Sequence, residues 1–322
     1  MEGPPLKNHN DNSIEPTGAE CKVARRHFLK ASVLVVAGLS ALMSPLSAAE
    51  SGDTAGNAST TKVSFGIVTD AHYADKPGGR RVYLESLAKM TECVKLMNDK
   101  KVDFLVELGD FIDKGEGHES ALEHLDAIET IYKKFNGPRY HVLGNHDMDS
   151  MSKQQFLERV ENTGIDKEAT YYSYDRKGVH FVVLDACFTS EGKPYGEVRY
   201  GWKDTNIPPE ELEWLKKDLA STDKPVIVFC HQLLCGEGAH YVNNAAEVRQ
   251  VLEDDKNVLG VFTGHDHGGK HSQIEGIHYY TLKAMVEGSG EENNAYAIVD
   301  IHEDNSMTVT GYRKADSQNL EP

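Results

Sequence analysis

The sequence is short of the features that define several large classes of protein. Five cysteines in 322 residues are too few for a disulfide-stapled scaffold, and of these Cys21 sits in the N-terminal leader and Cys93 in a predicted helix. Cys230 and Cys235 are near enough in sequence to bridge. Spacing does not supply the Cβ geometry of a bridge, and two buried thiols are expected. Net positive charge is missing as well. The formal charge is −17, and residues 1–49 hold five Lys/Arg against four Asp/Glu, which leaves about −18 on the rest of the chain. A surface that acidic repels phosphate backbones and excludes general nucleic-acid binding. The apolar run at 31–43 is too short and too rich in Ala, Gly and Ser for the ~20 residues of a comfortable bilayer span. No stable membrane span is therefore expected in the mature chain. There is no internal repeat, which excludes an array of stacked units.

What the N-terminus does have is an ordered signal. A polar leader is followed by ARRHFLK, the apolar run and SPLSAAE, with small residues at Ser47 and Ala49. Charged region, apolar region and small-x-small site in that order describe an export signal. Arg25 and Arg26, followed by Phe28, Leu29 and Lys30, resemble the twin-arginine signal of bacteria, which passes folded proteins through the twin-arginine translocase. Residues 1–49 are accordingly read as the signal and 50–61, rich in Ser, Gly, Thr and Ala, as a flexible lead-in. A single domain over 62–315 and a tail at 316–322 complete the expected organisation. The expected location is periplasmic or secreted.

From Lys62 onward, short runs heavy in β-branched and aromatic residues alternate with stretches of helical period. VSFGIVT precedes VYLESLAKMTECVKLM, DFLVELG precedes SALEHLDAIETIYKKF, and RYHVLG precedes SKQQFLERV. YYSYD and VHFVVLDA, split by RKG, read as a hairpin. A helix from about Pro208 leads to the strand PVIVFC, and AEVRQVLEDD leads to NVLGVFTG; HYYTL, AYAIVDI and SMTVTGYR close the chain as strands. The βαβα order predicts an α/β protein. Residues 188–207 form the longest stretch without a period, and long loops in compact domains are usually functional or mobile.

Chemistry collects at the strand ends. Asp70 and His72 follow the first strand, Asp110 and Asp113 the second, and Asn145 and His146 the third; His231 follows PVIVFC, and His265 and His267 follow NVLGVFT. In an open α/β sheet such ends face one crevice. A lone His beside a strand is usually a satisfied side chain, and a lone Asp usually a turn or cap. The conjunction at five strand ends points instead to a shared metal site. Residues two apart in an extended segment project to one side, so Asp70 with His72, and His265 with His267, are expected to aim ligating groups together. Gly109, Gly144 and Gly264 let the backbone turn sharply there. Mixed nitrogen and oxygen donors without thiolate suit Mn, Fe or Zn. A closed structural zinc site fits poorly, because such sites are generally tetrahedral and often contain Cys.

The set DxH, GDxxD, GNHD, a lone His and GHxH, in this order, resembles the calcineurin-like metallophosphoesterases, over nearly everything from Lys62 to the final strands. The resemblance implies a four-layer αββα sandwich of two mixed β-sheets flanked by helices. It also implies two divalent or trivalent ions, one held by Asp70, His72, Asp110 and His267 and the other by Asp110, Asn145, His231 and His265. His146 resembles the family's general acid and Asp113 the carboxylate that orients it. Two ions about 3.5–4 Å apart clamp a phosphate and activate a bridging hydroxide for attack on phosphorus. With Asp70, Asp110 and that hydroxide, the local charge is about +1, so an acidic protein can still attract a phosphate.

Within the family, FGIVTDAHYADKPGGRRVYLESL, YYSYD, FVVLDA, GHDHGG and LKAMVEG are similar to the branch of ADP-ribose/CDP-alcohol diphosphatases, which implies a nucleotide pyrophosphate substrate and Mn. Glu287 belongs to that resemblance. One position departs: His72 stands where the animal members of the branch carry Gln. Purple acid phosphatases fit less well, because their chromophoric Tyr would fall at Asp113. The alternative readings are an exported phosphomonoesterase or phosphodiesterase that scavenges phosphate, and a non-catalytic binding protein on the same fold. The latter typically loses ligands, and here every ligand position is filled. Candidate substrate contacts are Lys114 for a phosphate oxygen and Tyr195, Tyr200 and Trp202, whose rings would stack a base or sugar or else pin the long loop. Arg80 and Arg81 read equally well as a solvated pair.

Overall fold

The computed structural model describes residues 59–196 and 199–322; the signal assigned to 1–49, with Cys21, lies outside the described residues. Among the described residues twelve strands and five α-helices alternate first and then give way to strands. The first sheet has the order β12-β11-β10-β1-β2-β3. Its β1 (Thr61–Val68), β2 (Phe104–Glu107) and β3 (Arg139–His141) run parallel, and β10 (Ala295–His302), β11 (Met307–Arg313) and β12 (Gln318–Leu320) extend it antiparallel. In the second sheet the order is β4-β5-β6-β7-β9-β8. There β5 (Val179–Val183), β6 (Val226–Phe229), β7 (Val258–Thr263) and β9 (Ile277–Thr281) are parallel, with β4 (Tyr172–Arg176) and β8 (Lys270–Ile274) antiparallel at the edges.

The two sheets face each other across an aromatic core. Phe65 of β1 stacks on Phe104 of β2 with centroids 5.0 Å apart and meets Phe181, Phe229 and Phe262 of the other sheet edge-on. Such pairs add about 0.5–1.5 kcal/mol each beyond their buried area. Helices α1 (Ser86–Lys100) and α2 (His118–Tyr132) cover the outer face of the first sheet. The buried residues Met90, Cys93, Val94 and Met97 of α1 recur at the spacing of one helical face. Helices α4 (Pro209–Leu219) and α5 (Ala245–Asp254) cover the second sheet, and α3 (Lys153–Leu157) is a short piece capped by reciprocal bonds between Ser152 and Gln155. The four layers α, β, β, α are those expected.

Two segments differ from expectation. Residues 270–274 form a strand that the polar sequence KHSQI conceals, because β8 is an edge whose alternate side chains are exposed. The last residues are more than a tail: Gln318–Leu320 pairs with β11, and Leu320 is buried. Cys93, Cys187 and Cys230 are buried thiols. Among the described residues no helix is long and apolar enough to cross a membrane.

Candidate metal centre

The C-terminal ends of β1, β2 and β3 meet those of β6 and β7 because backbone bonds join the sheets at that end. Within the first sheet Asp70 and His72 donate their N–H groups to the carbonyls of Gly109 and Asp110, and across the sheets Met285 and Val286, just after β9, donate to Thr69 and Asp70. His231 reaches from the second sheet to the first, its Nδ1 2.8 Å from the Leu108 carbonyl. That bond leaves Nε2 as the atom that faces the centre.

The residues converge in three groups, two of which share His72: Asp70, His72 and His267; His72, Asp113 and His146; and Asp110, His231 and His265, with one ligand-type atom of each residue in a group within 4.8 Å of the others. His267 Nε2 lies 3.2 Å from Asp70 Oδ1, and His231 Nε2 lies 3.2 Å from Asp110 Oδ2. His72 Nε2 is 3.5 Å from Asp70 Oδ1 and 3.6 Å from Asp110 Oδ2. Asp70 Oδ1, Asn145 Oδ1, His231 Nε2 and His265 Nε2 are buried without a hydrogen-bond partner. Buried polar atoms are rarely left so. Several orphaned donors of nitrogen and oxygen type around shared carboxylates fit cations, and no thiol is among them.

The electrostatics agree. Burial disfavours the Asp70 and Asp110 carboxylates, yet the neighbouring imidazoles of His267 and His231 hold both below the ordinary range. Burial likewise opposes charge on His231, and the Asp110 carboxylate overcomes it and lifts the ring to about 10. The pocket therefore favours positive charge. His265 is pushed the other way, by burial and then by His231, so its ring is neutral with a lone pair to offer.

Backbone strain marks the same residues. Of nine non-glycine residues with positive φ among those described, Asp70, His72, Asp110 and His265 are four. The expectation of extended dipeptide spacing fails here. Asp70 and His72 share a group because both adopt left-handed backbone, and His265 and His267 enter different groups. Such conformations cost of order 1–3 kcal/mol each and persist where surrounding structure fixes them. Gly109 adopts positive φ at the turn, and these glycines also permit close packing: a Cβ at Gly264 would lie 2.0 Å from Thr69 Oγ1, and one at Gly109 2.5 Å from His231 Nδ1.

Asp147 and Asp149 are given no role from the sequence, and Glu287 none beyond the resemblance. Asp147 accepts three backbone N–H groups, from Asp110, Ile112 and Gly144, and so welds the second loop to the third. Glu287 Oε1 lies 2.7 Å from His267 Nδ1, with Arg80 2.5 Å from its other oxygen. Such a bond to the far nitrogen fixes a ligating imidazole. His146 Nδ1 is 3.0 Å from Asp149 and 3.7 Å from Asp113. Asp113 sits nearer His72 Nδ1, at 3.3 Å, and Lys76, at 2.6 Å. The carboxylate closest to His146 is thus Asp149, three residues along its own turn.

Among the substrate candidates, Tyr195 is corrected. It is fully buried, stacked on Tyr200 at 3.7 Å, with its hydroxyl donating to the Asp204 carbonyl, and it pins the loop. Tyr200 donates to the Asn145 carbonyl at 2.6 Å and so holds the loop against the centre. Trp202 is 39% exposed, with its ring 5.5 Å from that of His265 and 5.4 Å from that of His240. Lys114 is exposed, and its carbonyl accepts from Lys76.

Fold and site together define a metal-dependent phosphoester hydrolase, with donors arranged for two divalent ions. The family model for calcineurin-like phosphoesterases matches residues 63–269, and the chain belongs to that family. It is 27% identical over 300 residues to a manganese-dependent ADP-ribose/CDP-alcohol diphosphatase of Oryza sativa, covering 79% of this chain and 93% of that protein. A probable cyclic nucleotide phosphodiesterase of Fibrobacter succinogenes is 27% identical over 183 residues, 55% of this chain and 62% of the relative. Among solved structures, a dimetal phosphatase from Danio rerio superposes with a TM-score of 0.72 at 22% identity, over 81% of this chain and 99% of that one.

Proposed function

We propose that the chain hydrolyses nucleotide pyrophosphates of the ADP-ribose or CDP-alcohol type with manganese. The observation that carries this is the pair of acid–imidazole groups, Asp70 with His72 and His267 and Asp110 with His231 and His265, each with buried, unpartnered donor atoms. In this reading Asp70, His72, Asp110 and His267 hold one ion, and Asp110, Asn145, His231 and His265 the other. When bound, the ions clamp the phosphate and make a nucleophile available from water near neutral pH.

The chain's own residues supply the rest. His146 is a partly exposed imidazole at the centre's edge, flanked by the carboxylates of Asp149 and Asp113. It gives a proton to the oxygen that leaves phosphorus, and the carboxylates orient the ring and favour its charged form. Its backbone N–H donates to Asp110 Oδ1 at 2.7 Å, which ties the acid to the residue shared by both ion sites. Trp202, exposed beside His265, offers an aromatic face to the base.

The Oryza sativa relative supports the pyrophosphate reading over nearly its whole length. The Fibrobacter succinogenes relative favours a second reading, a phosphodiesterase on the same site. Phosphate and nucleotide release by the manganese-loaded mature protein from ADP-ribose, CDP-choline, a bis-aryl phosphodiester and an aryl monophosphate separates the two. Preference for the first pair supports the diphosphatase, preference for the diester supports the second reading, and inactivity on all four with metal bound refutes both. Export through the twin-arginine translocase, to the periplasm or beyond, rests on the leader sequence. Retention of an Arg25→Lys/Arg26→Lys variant in the cytoplasm is the expected outcome of cell fractionation, and unchanged export would refute it.

A further inference from the structure

A cleft of about 590 Å³ opens beside His146, lined among others by His118, Asp149, Ser150, Gln155, Arg199 and Tyr200. No role assigned above uses it. We propose that this cleft receives the leaving half of the substrate, a phosphorylated sugar or alcohol, while the nucleoside lies on the His265 side against Trp202. The inference rests on the pyrophosphate reading and adds to it which half goes where, and hence which phosphorus is attacked.

Three observations converge. First, the cleft begins at the groups that flank the acid. Asp149 Oδ2 is 3.0 Å from His146 Nδ1, its Oδ1 accepts from the Tyr200 hydroxyl at 3.2 Å, and that hydroxyl also donates to the Asn145 carbonyl. Whatever is attached to the oxygen protonated by His146 must continue past these residues. Second, the wall is polar and held in place. His118 Nδ1 is 2.7 Å from the Ser150 carbonyl, Gln155 Nε2 is 3.3 Å from His118 Nε2, and Gln155 Oε1 accepts from the Ser152 N–H. Fixed amide, imidazole and carbonyl groups suit hydroxyls, and among the described lining residues Arg199 supplies a guanidinium for a phosphate. The volume lies in the range of small-molecule pockets, ~300–1,000 Å³. Third, the exposed indole of Trp202 is not part of the cleft wall and packs instead against His265 and His240. A flat base meets an exposed indole beside His265, and a hydroxylated phosphate meets fixed polar groups and a guanidinium in the cleft.

For ADP-ribose the reaction balances as follows. Oxygen from water forms a bond to the phosphorus next to adenosine, and the bridging P–O bond breaks with its electron pair going to the ribose phosphate. His146 donates a proton to that departing oxygen, and the products are AMP and ribose phosphate.

The test compares ADP-ribose with the 4-nitrophenyl ester of AMP, which shares the nucleotide half but leaves as a flat, weakly basic phenolate. Arg199→Gln and Gln155→Glu are made in the full mature chain; the second keeps an acceptor for the Ser152 cap while placing negative charge in the cleft. Expected is a 10- to 100-fold loss of kcat/KM on ADP-ribose with less than a threefold loss on the aryl ester. Equal losses on both substrates, or none on either, would overturn the proposal. Hydrolysis in ¹⁸O-water reads the orientation directly: label in AMP is expected, and label in ribose phosphate overturns it. Wild-type protein that binds manganese yet cleaves neither nucleotide would instead remove the pyrophosphate reading, and this inference with it.

Discussion

A Cβ at Gly144 would stand 2.0 Å from the Asp110 amide nitrogen and 2.4 Å from Asp110 Oδ1, so one methyl group at this residue displaces the carboxylate that both proposed ion sites share. Gly144→Ala is therefore expected to fold but to lose most bound manganese, measured by elemental analysis after gel filtration. Full metal content in that variant would show that the loop yields. His146 is the opposite case. It is no ligand in the proposed sets, so His146→Ala should keep its metal while kcat on a substrate with a poorly acidic leaving group falls about 10²- to 10⁴-fold. A loss of metal along with rate would make His146 a ligand instead. Residue identities at the centre were legible because five strand ends carried donor types in one chain. Their partners were not. Asp149 looks like any loop acid in sequence, and only the short helical turn after Asn145 brings it to His146. For Tyr195 the sequence left open a ring that stacks substrate or one that pins the loop, and its stacking on Tyr200 decides for the pin.

Elements were legible where burial imposes a period. The parallel strand β6 is buried on both faces and reads as an unbroken apolar run, as does β5 apart from His180, whereas β8 and β12 are edge strands with polar or very short sequences. One contact between elements carries a pH dependence. His180 of β5 lies 2.8 Å from Asp175 of β4 and 2.8 Å from Asp218 of α4, with Lys224 paired to Asp175 and Ser173 donating to Asp218. The Asp218 bond leads in raising the His180 pKa above its ordinary value, against burial, with Asp175 adding to it. A raised folded-state value means that the charged ring stabilises the fold fully below the unfolded pKa of about 6.5. That contribution is lost as pH rises through the folded value. His180→Gln should accordingly cost more stability at pH 5.5 than at pH 9.5 in urea unfolding away from the metal centre. An equal cost at both pH values would assign His180 a packing role only.

At the scale of the whole molecule, the two sheets share a hydrophobic core along their inner faces and a polar centre at one end. That end is costly to fold without cations. Asp70 and Asp110 are buried as carboxylates, several donor atoms are unpartnered, and four residues of the centre hold left-handed backbone. Cations that bind the folded centre and not the unfolded chain add stability by mass action, about 2.7 kcal/mol at a hundredfold excess over Kd. For a domain of this size that amounts to roughly 5–10 °C in Tm. Chelation should therefore lower Tm by that order, and manganese should restore it in a concentration-dependent way. The Asp110→Asn variant should respond far less, since the shared carboxylate is gone while the volume is kept. If chelation left Tm unchanged in the wild type, the buried acids would have to be satisfied within the protein itself, and the unpartnered atoms around Asp110 would no longer argue for cations.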